Sequence, residues 1–357
     1  ERYEHKYEYC DLLIAGTGPS GLASAYAAAK NGAKVILAED KSRYGGSLLT
    51  SEVTIGNQSG QEWAEQIISE LKSMPNVIVK NRSQVFGYYD HNMLVMSERV
   101  SDHLPKTDKY TPKQRLWYIR AEEVVISSGS IERPLVFGNN DAPGVMLSSA
   151  AKEYLKIYGV LVGKKPIIFT NNDSGYETAI EFKKNGVDPI VLDTRKDPNS
   201  EIIKEAKELN INIKFSYVVV AAKGYKKVNS ADIAKISDDK KVLSNIENIK
   251  CDCICVSGFW TPTIHLASQS GNKTKFKEEI DAFVPSHSKQ KETTLGSANG
   301  IFTLEETLKT SFEKGSELSK QITNKENKIS IPTVVEKKSS KHDKFWCVPL
   351  PEGKNYK

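Results

Sequence analysis

Asp11-Leu12-Leu13-Ile14-Ala15-Gly16-Thr17-Gly18-Pro19-Ser20-Gly21 passes straight from an apolar run into a turn punctuated by glycines. The run from Asp11 to Ala15 has the character of a buried parallel strand. Pro19 to Lys30 is rich in Ala and Leu and stops at Asn31-Gly32, so Pro opens and Gly closes a helix. Lys34 to Glu39 is the next strand, which completes a βαβ unit in about thirty residues. In such a unit Gly16 permits the tight turn and Gly18 lets the backbone approach a pyrophosphate. Gly21 lets the helix pack close to the sheet. The first turn, with Pro19 and Ser20, offers free N–H groups and partial positive charge to phosphates. Glu39, followed by Asp40, closes the second strand. A carboxylate there accepts hydrogen bonds from ribose hydroxyls and repels a 2′-phosphate, which favours FAD or NAD over NADP. A ligand-free turn is the plainer alternative, but strand, turn, helix and acidic residue occur here together.

Working outward, Arg43 and Gly45-Gly46-Ser47 are candidates for the same site, since Gly46 permits close backbone approach. A helix is expected from about Gln61 to Met74, with Trp63, Ile67, Ile68, Leu71 and Met74 at helical spacing. Val77-Ile78-Val79 is a third strand. From Gln84 to Ile126 alternating residues, aromatics and turns indicate an antiparallel β meander. It returns to Val124-Val125-Ile126-Ser127-Ser128-Gly129, where Ser128 and Gly129 would let the chain pass near a bound cofactor. Arg133 follows as a further candidate. A second α/β unit begins at Pro166-Ile167-Ile168-Phe169-Thr170, continues in a helix from about Gly175 to Asn185 and a strand at Pro189–Asp193, and closes at Ile254–Gly258. The expected fold is therefore α/β, with two tandem doubly wound, Rossmann-like dinucleotide-binding domains of the FAD/NAD(P)-binding, pyridine nucleotide-disulfide oxidoreductase type. The first domain would take residues 1–163 and 259–314, with the meander at about 84–121, and the second residues 164–258. Residues 315–344 have the composition of a Lys-rich linker, and 345–357 would start a truncated C-terminal domain.

The second loop differs from the first. Thr170-Asn171-Asn172-Asp173-Ser174-Gly175 keeps one glycine, and it sets side chains and a carboxylate where a pyrophosphate needs bare backbone. The second domain is expected to keep the fold without the usual pyridine-nucleotide site. Cys251, Cys253 and Cys255 alternate, which would put all three on one face of a strand as buried small hydrophobes. At i, i+2 spacing they are too far apart for a disulfide. No Cys-x-x-Cys occurs, so thiol–disulfide exchange lacks its usual pair. The six histidines show no metal-ligand spacing.

The composition is that of a globular protein, with 39% hydrophobic and 27% charged residues among 357. The net charge of +5 is spread over interleaved Lys and Glu, a solvated surface and not a nucleic-acid patch. No apolar run approaches the roughly 20 residues of a membrane span. Five cysteines suggest a reducing compartment, hence the cytoplasm. The chain begins with Glu1, and it is expected to be a piece of a longer polypeptide. No constellation points to a catalytic acid, base or nucleophile.

Several longer stretches resemble the α subunit of the heterotetrameric sarcosine oxidase family. They are Phe86–Asn92, Ser128–Pro134, Phe137–Leu147, Ser257–Pro262, Ser268–Gly271 and Gly300–Leu304, the last of which adds Gly300 to the candidate cofactor residues. The resemblance implies an oxidoreductase subunit in which sarcosine becomes glycine with hydrogen peroxide and a one-carbon unit passes to tetrahydrofolate. It implies NAD in the first site (FAD being the alternative), FMN shared with a β subunit, and an amine-oxidising FAD in that subunit. Smaller subunits complete the assembly. Folate would bind only through a C-terminal domain that this stretch lacks, as it lacks an N-terminal ferredoxin-like domain, so the fragment alone should be inactive. The cysteine census argues against the iron–sulfur cluster of some related amine dehydrogenases. Two other functions fit the residues, a stand-alone FAD-dependent, NADH-using oxidoreductase and a non-catalytic assembly scaffold.

Overall fold

A computed structural model describes residues 2–349. It forms two compact units. Among the described residues, one comprises 2–131 with 261–336, the other 132–260 with 337–349.

The first unit is built on a sheet with strand order Val77–Lys80, Val35–Ala38, Tyr3–Ala15, Gln114–Ile126, Met93–Arg99, Ser83–Tyr89. Glu292–Thr294 joins in parallel along the last residues of Gln114–Ile126. The central parallel segments Leu12–Ala15, Val35–Ala38 and Val124–Ile126 are apolar and buried at every position, as strands covered on both faces must be. The helix Pro19–Lys30 is buried around most of its circumference because the sheet covers one side and the helix Leu304–Thr323 the other. Alanines make that sandwich possible, and so does Gly315, where a Cβ would overlap the Ser24 carbonyl. The helix Gly60–Ser73 starts with a capping box. Glu62 N–H donates to Ser59 Oγ at 3.3 Å and Ser59 N–H donates to Glu62 Oε2 at 2.9 Å. The meander of Ser83–Tyr89, Met93–Arg99 and the first half of Gln114–Ile126 is antiparallel. Its first hairpin turns on His91 and Asn92, both with positive φ. Asn92 pins the turn by accepting from Tyr88 Oη at 2.8 Å and donating to the Glu122 and Lys291 carbonyls.

The second unit has five parallel strands in the order Val145–Leu147, Cys253–Ser257, Pro166–Thr170, Ile190–Asp193, Asn212–Phe215. A three-stranded antiparallel sheet, Tyr217–Gly224, Val228–Ile236 and Val242–Lys250, supplies much of its core. The two units thus share both the parallel sheet and the three-stranded insertion.

Several expectations change. The first domain was expected to run to residue 163, but the chain leaves the first unit after 131. Val145–Leu147 pairs with Ile254–Val256, and the helix Ser148–Tyr158 packs on the second core, so this stretch belongs with the second unit. Residues 315–344 do not form a linker. They begin inside the helix Leu304–Thr323, whose Leu308, Phe312, Gly315 and Leu318 are buried beneath a Lys- and Glu-rich outer face. Val334–Val335 then pairs with Thr54–Ile55, and from 337 the chain joins the second unit. Phe345 and Val348 lie in that unit's core, and the expected domain start beyond them, residues 350–357, lies outside the described residues. The alternating cysteines do not share one face. A bend at Asp252, whose carboxylate accepts the Lys164 and Lys165 N–H groups, separates them. Cys251 packs into the core with Ile254, while Cys253 and Cys255 face the opposite core with sulfurs 3.6 Å apart. All three are buried and free, and burial pushes the Cys251 thiol up to about 12.

Candidate dinucleotide site

The first unit's site is assembled where the strand Tyr3–Ala15 gives way to the helix Pro19–Lys30. Gly16 has φ of +109°, and a Cβ there would overlap the Ser127 carbonyl. A Cβ on Gly21 would overlap the Gly16 carbonyl. The two glycines therefore let the turn close against itself and against the neighbouring strand. Gly18 is different, because a Cβ there would meet nothing within 4 Å. The side that a Gly18 Cβ would occupy is open, and the helix that begins beside it has no side-chain cap and no acidic residue in its first turn. With Pro19 at the first position, the Ser20 and Gly21 N–H groups that follow have no side-chain cap, as at a helix start that receives an anion.

The surrounding residues close in on this opening. Gly45 N–H donates to the Thr17 carbonyl at 3.1 Å, and Gly46, with φ of +55°, lies against Gly18, where a Cβ would come within 2.8 Å of the Gly18 Cα. Arg43, Gly46 and Ser47 are exposed. Ser128 Oγ donates to the Thr263 carbonyl at 2.8 Å, and Gly129 adopts φ of +77° and accepts from Thr263 N–H. The short 3₁₀ turn Gly296–Asn299 ends at Gly300, whose φ is +70°. This turn abuts the glycine-loop helix, since a Cβ on Gly296 would fall 2.7 Å from Ser20 Oγ. Among the candidate residues, the geometry thus gathers Gly16, Gly18, Pro19, Ser20, Gly21, Glu39, Gly45 and Gly46, and brings the turn that ends in Gly300 beside them. Asp40 is exposed beside Glu39. Arg133 belongs to the second unit, where its guanidinium stacks over Trp346 at 4.9 Å and donates to the Trp260 carbonyl at 3.1 Å.

Glu39 is buried and already engaged. It accepts from Thr17 N–H at 3.1 Å, from Thr17 Oγ1 and from Lys41 N–H at 3.0 Å. Burial, reinforced by a hydrogen bond with Asp40, raises its pKa above the ordinary carboxylate range. The carboxylate therefore braces the glycine loop. Sequence reasoning missed Thr17, which makes that brace, although its place between Gly16 and Gly18 was visible. It also missed Ser127 and Gly296. Ser127 is buried beside Gly21, its Cβ 3.4 Å from where a Gly21 Cβ would stand, and its Oγ has no hydrogen-bond partner among the described residues, as expected of a group that awaits a ligand or water. The set suits a dinucleotide: open backbone for phosphates, a helix start for charge, a carboxylate for ribose and an orphan hydroxyl.

The second loop has none of that openness. Asn172 Nδ2 donates to Ser257 O and Oγ, both at 3.1 Å, and Asn172 Oδ1 accepts from Ser174 N–H at 2.8 Å. Asp173 accepts from Arg195 Nη1 at 2.8 Å. Arg195 also holds Asp193, which takes Tyr176 Oη at 2.7 Å. Burial works against the Arg195 charge, but Asp193 and Asp173 outweigh it and hold the guanidinium above its usual range. Among the described residues, no group of three or more His, Cys, Asp or Glu is placed to hold a metal. No described helix is long and apolar enough to cross a membrane.

Residues 10–289 match the family model described as pyridine nucleotide-disulphide oxidoreductase. The chain is 38% identical over 285 residues to the sarcosine oxidase subunit alpha of Rhizobium meliloti (strain 1021), covering 80% of this chain and 28% of that one. It is 30% identical over 355 residues to the subunit of the same name from Corynebacterium sp. (strain P-1), covering 98% and 36%. It therefore spans about a third of the length of these relatives. Among solved structures, a thioredoxin reductase from T. acidophilum shares the fold, with a TM-score of 0.65 at 15% identity over 88% of this chain and 98% of that one. The chain belongs to the pyridine nucleotide-disulphide oxidoreductase family, and over most of its length it is similar to sarcosine oxidase α subunits.

Proposed function

We propose that this chain is the dinucleotide-binding part of the α subunit of a sarcosine-oxidising enzyme, and that it holds NAD in the first glycine loop. The observation that carries the reading is the open backbone at Gly18 beside an uncapped helix start. Gly18, Ser20 and Gly21 present N–H groups to the diphosphate, while Gly16 shapes the turn and Pro19 sets the start of the helix. Glu39 and Asp40 face the ribose, and Arg43, Gly45, Gly46 and Ser47 flank it. Ser128, Gly129 and the Gly300 turn complete the wall. FAD in the same loop is the alternative occupant, since a carboxylate at the ribose serves either dinucleotide.

In this reading substrate oxidation takes place elsewhere in the assembly. A β subunit carries the amine-oxidising FAD and shares FMN with this chain, and smaller subunits complete a cytoplasmic hetero-oligomer. Sarcosine loses its methyl group as a one-carbon unit for tetrahydrofolate, and oxygen takes up the electrons as hydrogen peroxide. The role of the present residues is to bind and to position. The reading is tested by combining a full-length α subunit containing this stretch with the β and smaller subunits and recording sarcosine-dependent oxygen uptake. Uptake that requires the α subunit supports it; none with sarcosine, while another amine is oxidised, moves the substrate assignment.

A further inference from the structure

The second unit's cleft is filled by the chain itself. Ligands of open α/β sheets bind outside the carboxyl ends of the parallel strands. In the second unit that place is taken by residues 340–346, which cross three adjacent strand ends in turn. Ser340 N–H donates to Asp173 Oδ2 at 2.6 Å and Ser340 Oγ to Asp173 Oδ1 at 2.8 Å, just past the strand Pro166–Thr170. Arg195, past the end of Ile190–Asp193, donates to Ser340 Oγ at 2.7 Å and to the Lys341 carbonyl at 3.3 Å. Asp343 N–H donates to the Asn171 carbonyl at 2.8 Å, and Asn171 Nδ2 donates back to the Asp343 and Phe345 carbonyls at 2.9 and 3.1 Å. Trp346 Nε1 donates to the Gly258 carbonyl at 2.8 Å, past the end of Cys253–Ser257. His342 is buried and stacks on Phe259 with ring centroids 4.1 Å apart.

We propose that residues 340–346 act as an internal occupant of the second unit's nucleotide cleft, a strap that replaces a dinucleotide and closes the cleft to one. The chemistry of the strap matches the role. Asp343 brings a carboxylate to Thr194 Oγ1, at 2.9 Å, and to Lys240. The Thr194 hydroxyl, just past Ile190–Asp193, and the Lys240 ammonium beside it are donors of the kind that would otherwise meet a ribose or its phosphate. Asp173, which would repel a pyrophosphate, serves here as the acceptor for the strap's backbone. The altered loop and the strap are thus two halves of one arrangement. The inference deepens the view that only the first loop binds a nucleotide, and it does not depend on which nucleotide that is.

Hydrogen–deuterium exchange on the purified chain tests it, read at the strap amides and compared with the exposed segment 102–110. The strap amides should exchange at least about 100-fold more slowly than unstructured peptide. Addition of millimolar NADH or NADPH should leave that protection unchanged. Asp343→Ala should speed strap exchange about tenfold, while the amides of Pro166–Thr170 keep their protection and so show that the unit is folded. Strap amides exchanging like the 102–110 segment would overturn the proposal. Displacement of the strap by either nucleotide would overturn it too, even with the first loop's occupancy unaltered. An empty first loop with a protected strap would instead count against the proposed function alone.

Discussion

Gly18 and Gly21 stand three residues apart in one turn, yet their substitutions should act through different physics. A Cβ on Gly21 would overlap backbone, so Gly21→Ala should lower the melting temperature of the chain with or without nucleotide. Gly18 has an ordinary φ of −65° and open space where a Cβ would go, so Gly18→Ala should leave the melting curve of the apo chain almost unchanged. It should weaken dinucleotide binding by about 10- to 100-fold, or roughly 1.4 to 2.8 kcal/mol, measurable by calorimetric titration. Glu98 gives a pH-dependent counterpart. It is buried and takes hydrogen bonds from Lys80 Nζ at 2.9 Å, Arg115 Nη1 at 3.1 Å and Trp117 Nε1 at 2.7 Å. Burial alone would raise its pKa, but Lys80, Trp117 and Arg115 together pull it below the ordinary value. A lowered carboxylate contributes stability that is present in full above the unfolded pKa and fades as pH falls through the folded one. Glu98→Gln should therefore cost about 1.5 to 3 kcal/mol at pH 7 in urea unfolding. The gap from the parent chain should narrow below about pH 4.

The pairing of the helices Pro19–Lys30 and Leu304–Thr323 rests on small residues, and Gly315 sits directly over the Ser24 backbone. Gly315→Ala should force the helices apart and cost about 1 to 3 kcal/mol, visible as a lower midpoint in thermal unfolding. Ser59→Ala should remove one half of the capping box at Gly60–Ser73 for about 1 kcal/mol, without touching nucleotide affinity. Elements with a strong local signal were legible in the sequence. The glycine loop, both βαβ units and the first meander follow from apolar runs, periodicity and turn residues. The strand Tyr3–Ala15 was expected only from Asp11, because its first residues are charged. Their alternation of Tyr3, His5, Tyr7 and Tyr9 with Glu4, Lys6 and Glu8 was the signal of a strand with one exposed face. The stretch 315–323 looked like linker because its Lys and Glu content masks a narrow buried stripe. The bend at Asp252 hid behind a regular Cys spacing. It is imposed by backbone N–H groups distant in sequence, a tertiary cause that no local pattern records.

At the scale of the molecule, the two units are variations on one plan, a parallel sheet with a three-stranded antiparallel insertion, and they differ where ligands bind. The first keeps bare backbone at Gly18; the second has filled its loop with Asn172 and Asp173 and laid residues 340–346 across its strand ends. The altered character of the second loop was legible from its side chains, but the strap was not, because its sequence reads only as polar and Lys-rich. The domain boundary was misplaced for a similar reason. The pairing of Val145–Leu147 with a strand more than a hundred residues later leaves no trace in local composition. The most direct test counts nucleotides. The chain is saturated with NAD or FAD, freed of excess ligand and denatured, and the released nucleotide is identified by mass and quantified. One dinucleotide per chain is expected, and Gly18→Ala should release far less. Two per chain, or one whose retention is indifferent to Gly18→Ala, would contradict a single site at the first glycine loop.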